Sequence, residues 1–214
     1  MKIFQRGRFV RFIDRFGDLT ILNLLFLISC IPLITIPAAV TAMYACTLKL
    51  AGGEGFEGKW FWNSFRRDFK TSLQIGLLIG AAGILLFIDG HVLTRYFSGV
   101  HSIFRYILYV LAFLLLCTAS FAFPLAAQFE NTCVQHLKNG ALLALRHFPK
   151  TLVVLALNLV PVALFLMDFE VFLRLVVFWL LFGFAAAAYA NAILFRKIFQ
   201  SLIPTPESDE EQDE

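Results

Sequence analysis

Four histidines (His91, His101, His136, His147) and four cysteines (Cys30, Cys46, Cys117, Cys133) are the side chains here best suited to ligate a metal or attack a substrate. Their spacing argues for neither. No CxxC occurs and three of the cysteines lie in apolar runs, so neither a thiolate centre nor a disulfide framework is indicated. His136 and His147 are eleven residues apart and can share a helix face, with Glu130 nearby. Histidines are equally at home on an interfacial helix without a ligand role, and no metal is assigned. The dinucleotide and P-loop glycine patterns, HExxH and GxSxG are absent. GGEG at 52–55 has no flanking strand and reads as a flexible break, not a phosphate loop. With no paired acid and base and no activated nucleophile, the chain is expected to be neither an enzyme nor a cofactor protein.

The remaining polar chemistry is neutral and sits in apolar surroundings: Asn23, Thr41, Thr118, Ser120, Asn158 and Asn191. Such residues usually hydrogen-bond neighbouring helices, at about 0.6 kcal/mol each. The sharper alternative is a polar pathway for a small solute, lined by Asn23, Thr35, Pro37, Thr41, Asn158 and Asn191. No ionisable residue falls in the centre of an apolar run; Asp89, Arg105, Glu130, Asp168, Glu170 and Arg174 all lie near ends. That pattern argues against a proton-coupled pump or an intramembrane hydrolase.

What positions these residues is an apolar chain. Hydrophobic residues make up 59% of it, charged residues 15%, and the mean hydropathy is +0.77. A water-soluble domain needs more polar surface than this. The expected fold is all-α: one polytopic membrane domain over residues 1–200, with spans at about 19–34, 37–51, 73–88, 104–129, 151–167 and 171–195. Residues 201–214 form an acidic tail expected to be disordered. A basic stretch before an apolar one also fits a cleavable signal, but the rest is itself membrane-spanning, so an uncleaved first span is expected.

The stretch CIPLITIPAAVTAMYAC at 30–46 decides the topology. A straight helix over 19–51 would be about 50 Å long, too long for one crossing. Pro37 suits the first turn of a new helix, and Thr35 can cap it or bind carbonyls freed beside the prolines. A hairpin or a re-entrant pair turning near Thr35–Pro37 fits. Charge supports it. If 19–51 goes out and returns, the inner side holds five basic residues in 1–18, five in 49–70, three in 138–150 and two at 196–197. Only Arg95, Arg105 and Arg174 remain outside. This is the asymmetry expected of cytoplasmic loops, and it places both termini in the cytoplasm.

Three amphipathic stretches lie at the inner interface: 1–18, 59–72 and 130–150. In the first, Phe9, Phe12, Ile13 and Phe16 share a face. In the second, Phe61, Trp62, Phe65, Phe69 and Leu73 oppose Lys59, Asn63, Arg66, Arg67 and Lys70. In the third, Val134, Leu137, Ala141, Leu145 and Phe148 oppose Gln135, Lys138, Asn139, Arg146 and Lys150. Aromatic faces backed by cations suit anionic lipid, not nucleic acid. The candidate lipid- and partner-docking surface is Phe61, Trp62, Phe65, Arg66, Arg67 and Phe69 with Arg146, Phe148 and Lys150. RDFKT at 67–71 and RHFPKT at 146–151 also echo one another, as do PAAV at 37–40 and PLAAQ at 124–128. They arise from either an internal duplication or convergent interface chemistry.

The Phe-rich basic start, LNLLFLISCIPLITIPAAVTAMY at 22–44 and FPLAAQFENTCVQHLKNGALLALRHFPKTL at 123–152 resemble the YesL-like family of bacterial membrane proteins, a domain of unknown function. The likeness extends over nearly the whole chain. It implies a multi-pass protein of the bacterial cytoplasmic membrane associated with carbohydrate uptake or its sensing, and it assigns no catalytic residue. Two functions are expected on these grounds. One is a non-catalytic accessory protein whose partner is a carbohydrate transporter permease or a sensor kinase. The other is a small-solute transporter or ligand-binding channel.

Overall fold

A computed structural model describes residues 8–96, 102–167 and 169–201, and all the described elements are helical. They are α1 (Arg8–Ser29), a single 3₁₀ turn (Leu33–Thr35), α2 (Ile36–Ala51), α3 (Gly58–Tyr96), α4 (Ser102–Gln128), α5 (Cys133–Arg146), α6 (Phe148–Met167) and α7 (Phe169–Phe178). A π turn (Trp179–Gly183) then joins α7 to α8 (Phe184–Gln200).

The break after α1 is where the prolines require it. Pro32 has no N–H to continue a helix, and Pro37 sits in the first turn of α2, where no N–H is needed. Thr35 Oγ1 donates to the carbonyls of Ser29 and Pro32, holding the turn closed. The helix then returns: Arg15 Nη1, near the start of α1, donates to the Glu54 carbonyl just past α2 at 2.7 Å. The first two helices therefore form a closed hairpin.

Short α2 is the centre of the molecule. Ten of its 16 residues are buried, enclosed by α1, α3, α4 and α8 in a core that includes Leu22, Phe26, Met43, Phe61, Phe121, Val154, Ala188 and Phe195. It runs antiparallel to α3. Lys49 Nζ lies 4.2 Å from the centre of the Trp60 ring, Ser72 Oγ donates to Thr41 Oγ1 at 2.8 Å, and Gly76 meets Pro37. At Gly76 a Cβ would fall 2.3 Å from Pro37 Cγ, so only glycine permits this approach. Gly140 does the same for α5 on α4, where a Cβ would lie 3.1 Å from the Thr118 carbonyl and 3.2 Å from the Ala122 nitrogen. Thr132 and Gln135 cap α5 reciprocally.

Among the described residues, five stretches are long and apolar enough to cross a membrane: Leu33–Ala51, Gly58–Val92, Ile103–Gln128, Phe148–Met167 and Phe169–Gln200. Large apolar side chains stand exposed along the second half of α3, the first half of α4, and α6 and α7; among them are Leu77, Leu85, Phe87, Ile103, Val110, Val162, Phe165 and Val177. An apolar surface that continuous is stable only in lipid. The chain is a helical membrane protein.

Several expected boundaries are corrected. The surface stretch 1–18 and the span 19–34 are, over the described residues, one helix that ends at Ser29. The interfacial helix 59–72 and the span 73–88 are likewise one 39-residue helix, reaching past the expected polar connection to Tyr96. A change from charged to apolar residues does not break a helix, and Gly58–Tyr96 contains no proline. The stretch 130–150 narrows to Cys133–Arg146. Its buried face is Cys133, His136, Gly140, Leu143 and Ala144, while Val134 and Leu145 are exposed. Small residues, not the larger apolar ones, mark the side that can approach α4. The last span lengthens to 169–200. The RDFKT/RHFPKT echo takes two structures: residues 67–71 continue α3, whereas Pro149 helps break the chain at His147, where Thr151 Oγ1 ties Ala144 O to His147 O. Residues 202–214, the expected acidic tail, lie outside the described residues, as do residues 1–7.

Candidate functional site

The densest polar chemistry lies where the first third of α3 meets the α4–α5 connection. The inner face of α3 carries Phe61, Ser64, Asp68, Ser72 and Ile75, all buried. Asp68 thereby enters the interior with its partners supplied. Ser64 Oγ donates to its Oδ2 at 3.0 Å, and Arg67 donates through Nε to Oδ1 at 2.8 Å and through Nη2 to Oδ2 at 2.9 Å. A buried carboxylate needs this degree of satisfaction. The pair lines a polar cleft of about 560 Å³ with Thr71, Glu130, Asn131, Thr132, Gln135 and His136. His136 is only 2% exposed, and its Nδ1 has no hydrogen-bond partner. Burial pulls its pKa below the ordinary value, opposed by the Asp68 carboxylate and by a hydrogen bond with the Asn131 backbone. The result is a neutral imidazole beside a fixed carboxylate, with Arg67 half-exposed at the rim. Phe129 and Asn131 also line an adjoining cleft that contains Arg146. The arrangement offers charges of both signs and neutral hydrogen-bonding groups. Thr132, its hydroxyl-bearing loop residue, is engaged in the helix cap.

The expected docking residues divide. Phe61 is fully buried in the core and is removed from that surface, because it lies on the face of α3 turned towards α2. Phe65 and Phe69 are half-buried and continue the aromatic row from it, and Trp62 remains exposed with its ring edge-on to Phe61 and Phe65. Arg66 is exposed beside them, while Arg67 is turned onto Asp68. Arg146 is exposed and Lys150 half-buried. Phe148 also stays 42% exposed, with its ring 6.2 Å from that of Phe113 on α4.

The expected pathway residues do not form one path. Asn23 is fully buried and plugs the π turn: its Nδ2 donates to the carbonyls of Trp179 (3.1 Å) and Leu180 (2.8 Å), and its Oδ1 accepts from the Ala185 N–H (2.9 Å). The widened turn frees these backbone groups, and one side chain satisfies them. Thr35 and Pro37 build the hairpin turn, and Thr41 bonds the Pro37 carbonyl and Ser72. Of the three asparagines, Asn158 and Asn191 come together, at 2.8 Å, with the Tyr44 hydroxyl 3.4 Å from Asn191 Nδ2. Sequence reasoning missed Asp68 and Tyr44, and it paired His136 with His147 and not with Asp68. A signal for Asp68 existed in the recurrence of small polar residues at 64, 68 and 72 on one face of α3.

Comparison with known proteins agrees with the resemblance. Residues 19–90 match a family described as a protein of unknown function, DUF624. That region spans the hairpin and α3 as far as Gly90, with Asn23, Pro37 and Asp68 inside it. The uncharacterized protein YteU of Bacillus subtilis (strain 168) is 28% identical over 160 residues, covering 74% of this chain and 70% of its own length. No solved structure matches. The likeness to a YesL-like family of unknown function is thus borne out.

Proposed function

We propose that this protein is a non-catalytic accessory component of the bacterial cytoplasmic membrane, associated with carbohydrate uptake or its sensing, and that it engages a permease or sensor kinase through the polar cleft and its cationic rim. The observation that carries this reading is the cleft itself. A buried Asp68, held by a half-exposed Arg67, and a buried His136 open to the exterior beside exposed Arg66, Lys70 and Arg146. Buried ionisable groups in an open cleft are expensive to keep and point to a recognition surface. The carbohydrate association comes from the family resemblance alone.

In this reading the chain has six membrane segments with both ends in the cytoplasm. The first two are a re-entrant hairpin. α2 begins beside Gly76, whereas α3 runs on for 20 residues to Tyr96, roughly 30 Å, a full hydrocarbon thickness. The hairpin tip is apolar and exposed, with Ile31 at 77% and Leu33 at 80%. Such a tip suits the bilayer interior and not an aqueous loop. Anionic lipid would meet the basic residues of the inner face.

Cross-linking and co-purification of the tagged full chain from cells grown on an inducing carbohydrate test the partner reading. A permease or kinase captured with wild type and lost with Arg66→Glu/Lys70→Glu supports it. Equal capture by wild type and variant, or no partner at all, overturns it. A second reading, a small-solute transporter, draws on the Asn158–Asn191–Tyr44 cluster. Sugar flux through proteoliposomes of purified protein would favour it over the first.

A further inference from the structure

A second cavity, separate from the polar cleft, lies among α2, α4, α6 and the π turn. Its volume is about 280 Å³, and its walls include Phe26, Met43, Leu155, Trp179, Phe184 and Ala188. None of its described lining residues is charged, and Tyr44, Ser120 and Asn158 supply most of its polar groups. Two features make this cavity more than a packing fault.

First, it gathers backbone acceptors. Pro124 lies inside α4 and Pro161 inside α6. A helical proline lacks the N–H that would bind the carbonyl four residues earlier, here Ser120 and Leu157. Both of those residues line the cavity. Second, its floor is an incomplete hydrogen-bond network. Asn158 Oδ1 and the Tyr44 hydroxyl, which line it, are both bonded by Asn191 Nδ2 from outside the lining, while Trp179 Nε1, a wall residue, is buried without an acceptor. An apolar chamber with a few converging neutral polar groups is the usual form of a small-molecule site. Here the two proline-freed carbonyls need a donor and the Trp179 N–H needs an acceptor, so the ligand must both donate and accept, as a hydroxyl does. With no counter-charge in the wall, it must also be neutral.

The outer rim is equally informative. Leu116 on α4 and Leu159 on α6 line the cavity yet are 46% and 40% exposed, on the apolar surface that faces lipid. The opening is therefore sideways, into the bilayer. We propose that this cavity binds a neutral, hydroxyl-bearing lipid of the monoacylglycerol kind. Its hydroxyls would bond Asn158, Tyr44 and the freed carbonyls, and its acyl chain would pass between α4 and α6 into the membrane. The inference depends on α4 and α6 lying in the bilayer and not on the partner-docking reading.

The test is equilibrium binding of a fluorescent monoacylglycerol to the purified full chain in nanodiscs, beside a fatty acid and a fatty amine of the same chain length. Saturable binding of the monoacylglycerol, weaker by about tenfold or more for both charged analogues, is expected. Asn158→Leu should weaken it about tenfold by removing the polar floor. Ala119→Phe should abolish it by filling the chamber, while its melting temperature stays within a few degrees of wild type. No saturable binding, equal binding by Ala119→Phe, or preference for either charged analogue would overturn the proposal.

Discussion

Arg15 Nη1 and the carbonyl oxygen of Glu54 lie 2.7 Å apart, across 39 residues of chain. Between them the backbone leaves along α1, turns at Cys30–Thr35 and returns along α2. The contact makes a direct prediction. With cysteines at positions 15 and 54 and the native cysteines replaced, a short bis-maleimide should join the two positions in membranes. Positions 15 and 77 should not be joined. Cross-linking confined to the second pair would mean that α1 and α2 do not close on each other.

Asn23 should be the most sensitive polar residue in the protein. Asn23→Leu leaves the carbonyls of Trp179 and Leu180 and the N–H of Ala185 without partners in the interior. The expected destabilisation is roughly 2–4 kcal/mol, from several buried groups losing their hydrogen bonds together. Thermal unfolding in detergent measures it, and a melting temperature equal to wild type would refute the role assigned to the side chain.

Two glycines of α3 separate close packing from helix propensity. Gly76→Ala forces a methyl onto Pro37 and should destabilise by roughly 1–3 kcal/mol. Gly80→Ala meets nothing within 4 Å and should be neutral or slightly stabilising, since alanine is the better helix former. The reverse order in melting temperature would show that α2 and α3 do not meet at Gly76.

Much of this arrangement can be read from the chain alone, and the parts that cannot have physical causes. Pro32 and Pro37 announce a break because proline removes a donor wherever it stands, and the hairpin follows from the excess length. The change from a charged amphipathic pattern to an apolar run at Thr71–Leu73, by contrast, reads as a boundary, although no residue there can end a helix; the buried side of α3 is marked by Ser64, Asp68 and Ser72. α5 was turned by about one residue because Gly140 and Ala144, not Val134 and Leu145, allow α4 to approach. The cleft joins Asp68 to His136, 68 residues apart, a pairing no local pattern encodes. Asn23, Asn158 and Asn191 are alike in sequence context, yet Asn23 secures a π turn, Asn158 lines a cavity and Asn191 bonds Asn158 from outside that lining.

His136 should make stability depend on pH. Its pKa is lowered from the ordinary value of 6.5 chiefly by burial. Below 6.5 the unfolded chain therefore binds the proton more readily than the folded one. Stability is retained above that pH and falls as the pH drops beneath it, levelling off below the lowered value. His136→Gln should flatten this part of the melting-temperature profile between about pH 5 and 7 relative to wild type. An unchanged slope would mean that the imidazole is not buried as described.

The return of the chain to its starting side after α2 governs the position of the cleft, its cationic rim and every later loop. Labelling of Gly55→Cys, in a chain with its native cysteines replaced, by a membrane-impermeant maleimide tests it most directly. The reagent should fail on intact bacterial cells and react once the membrane is permeabilised. Full labelling in intact cells would place residue 55 outside and contradict the account.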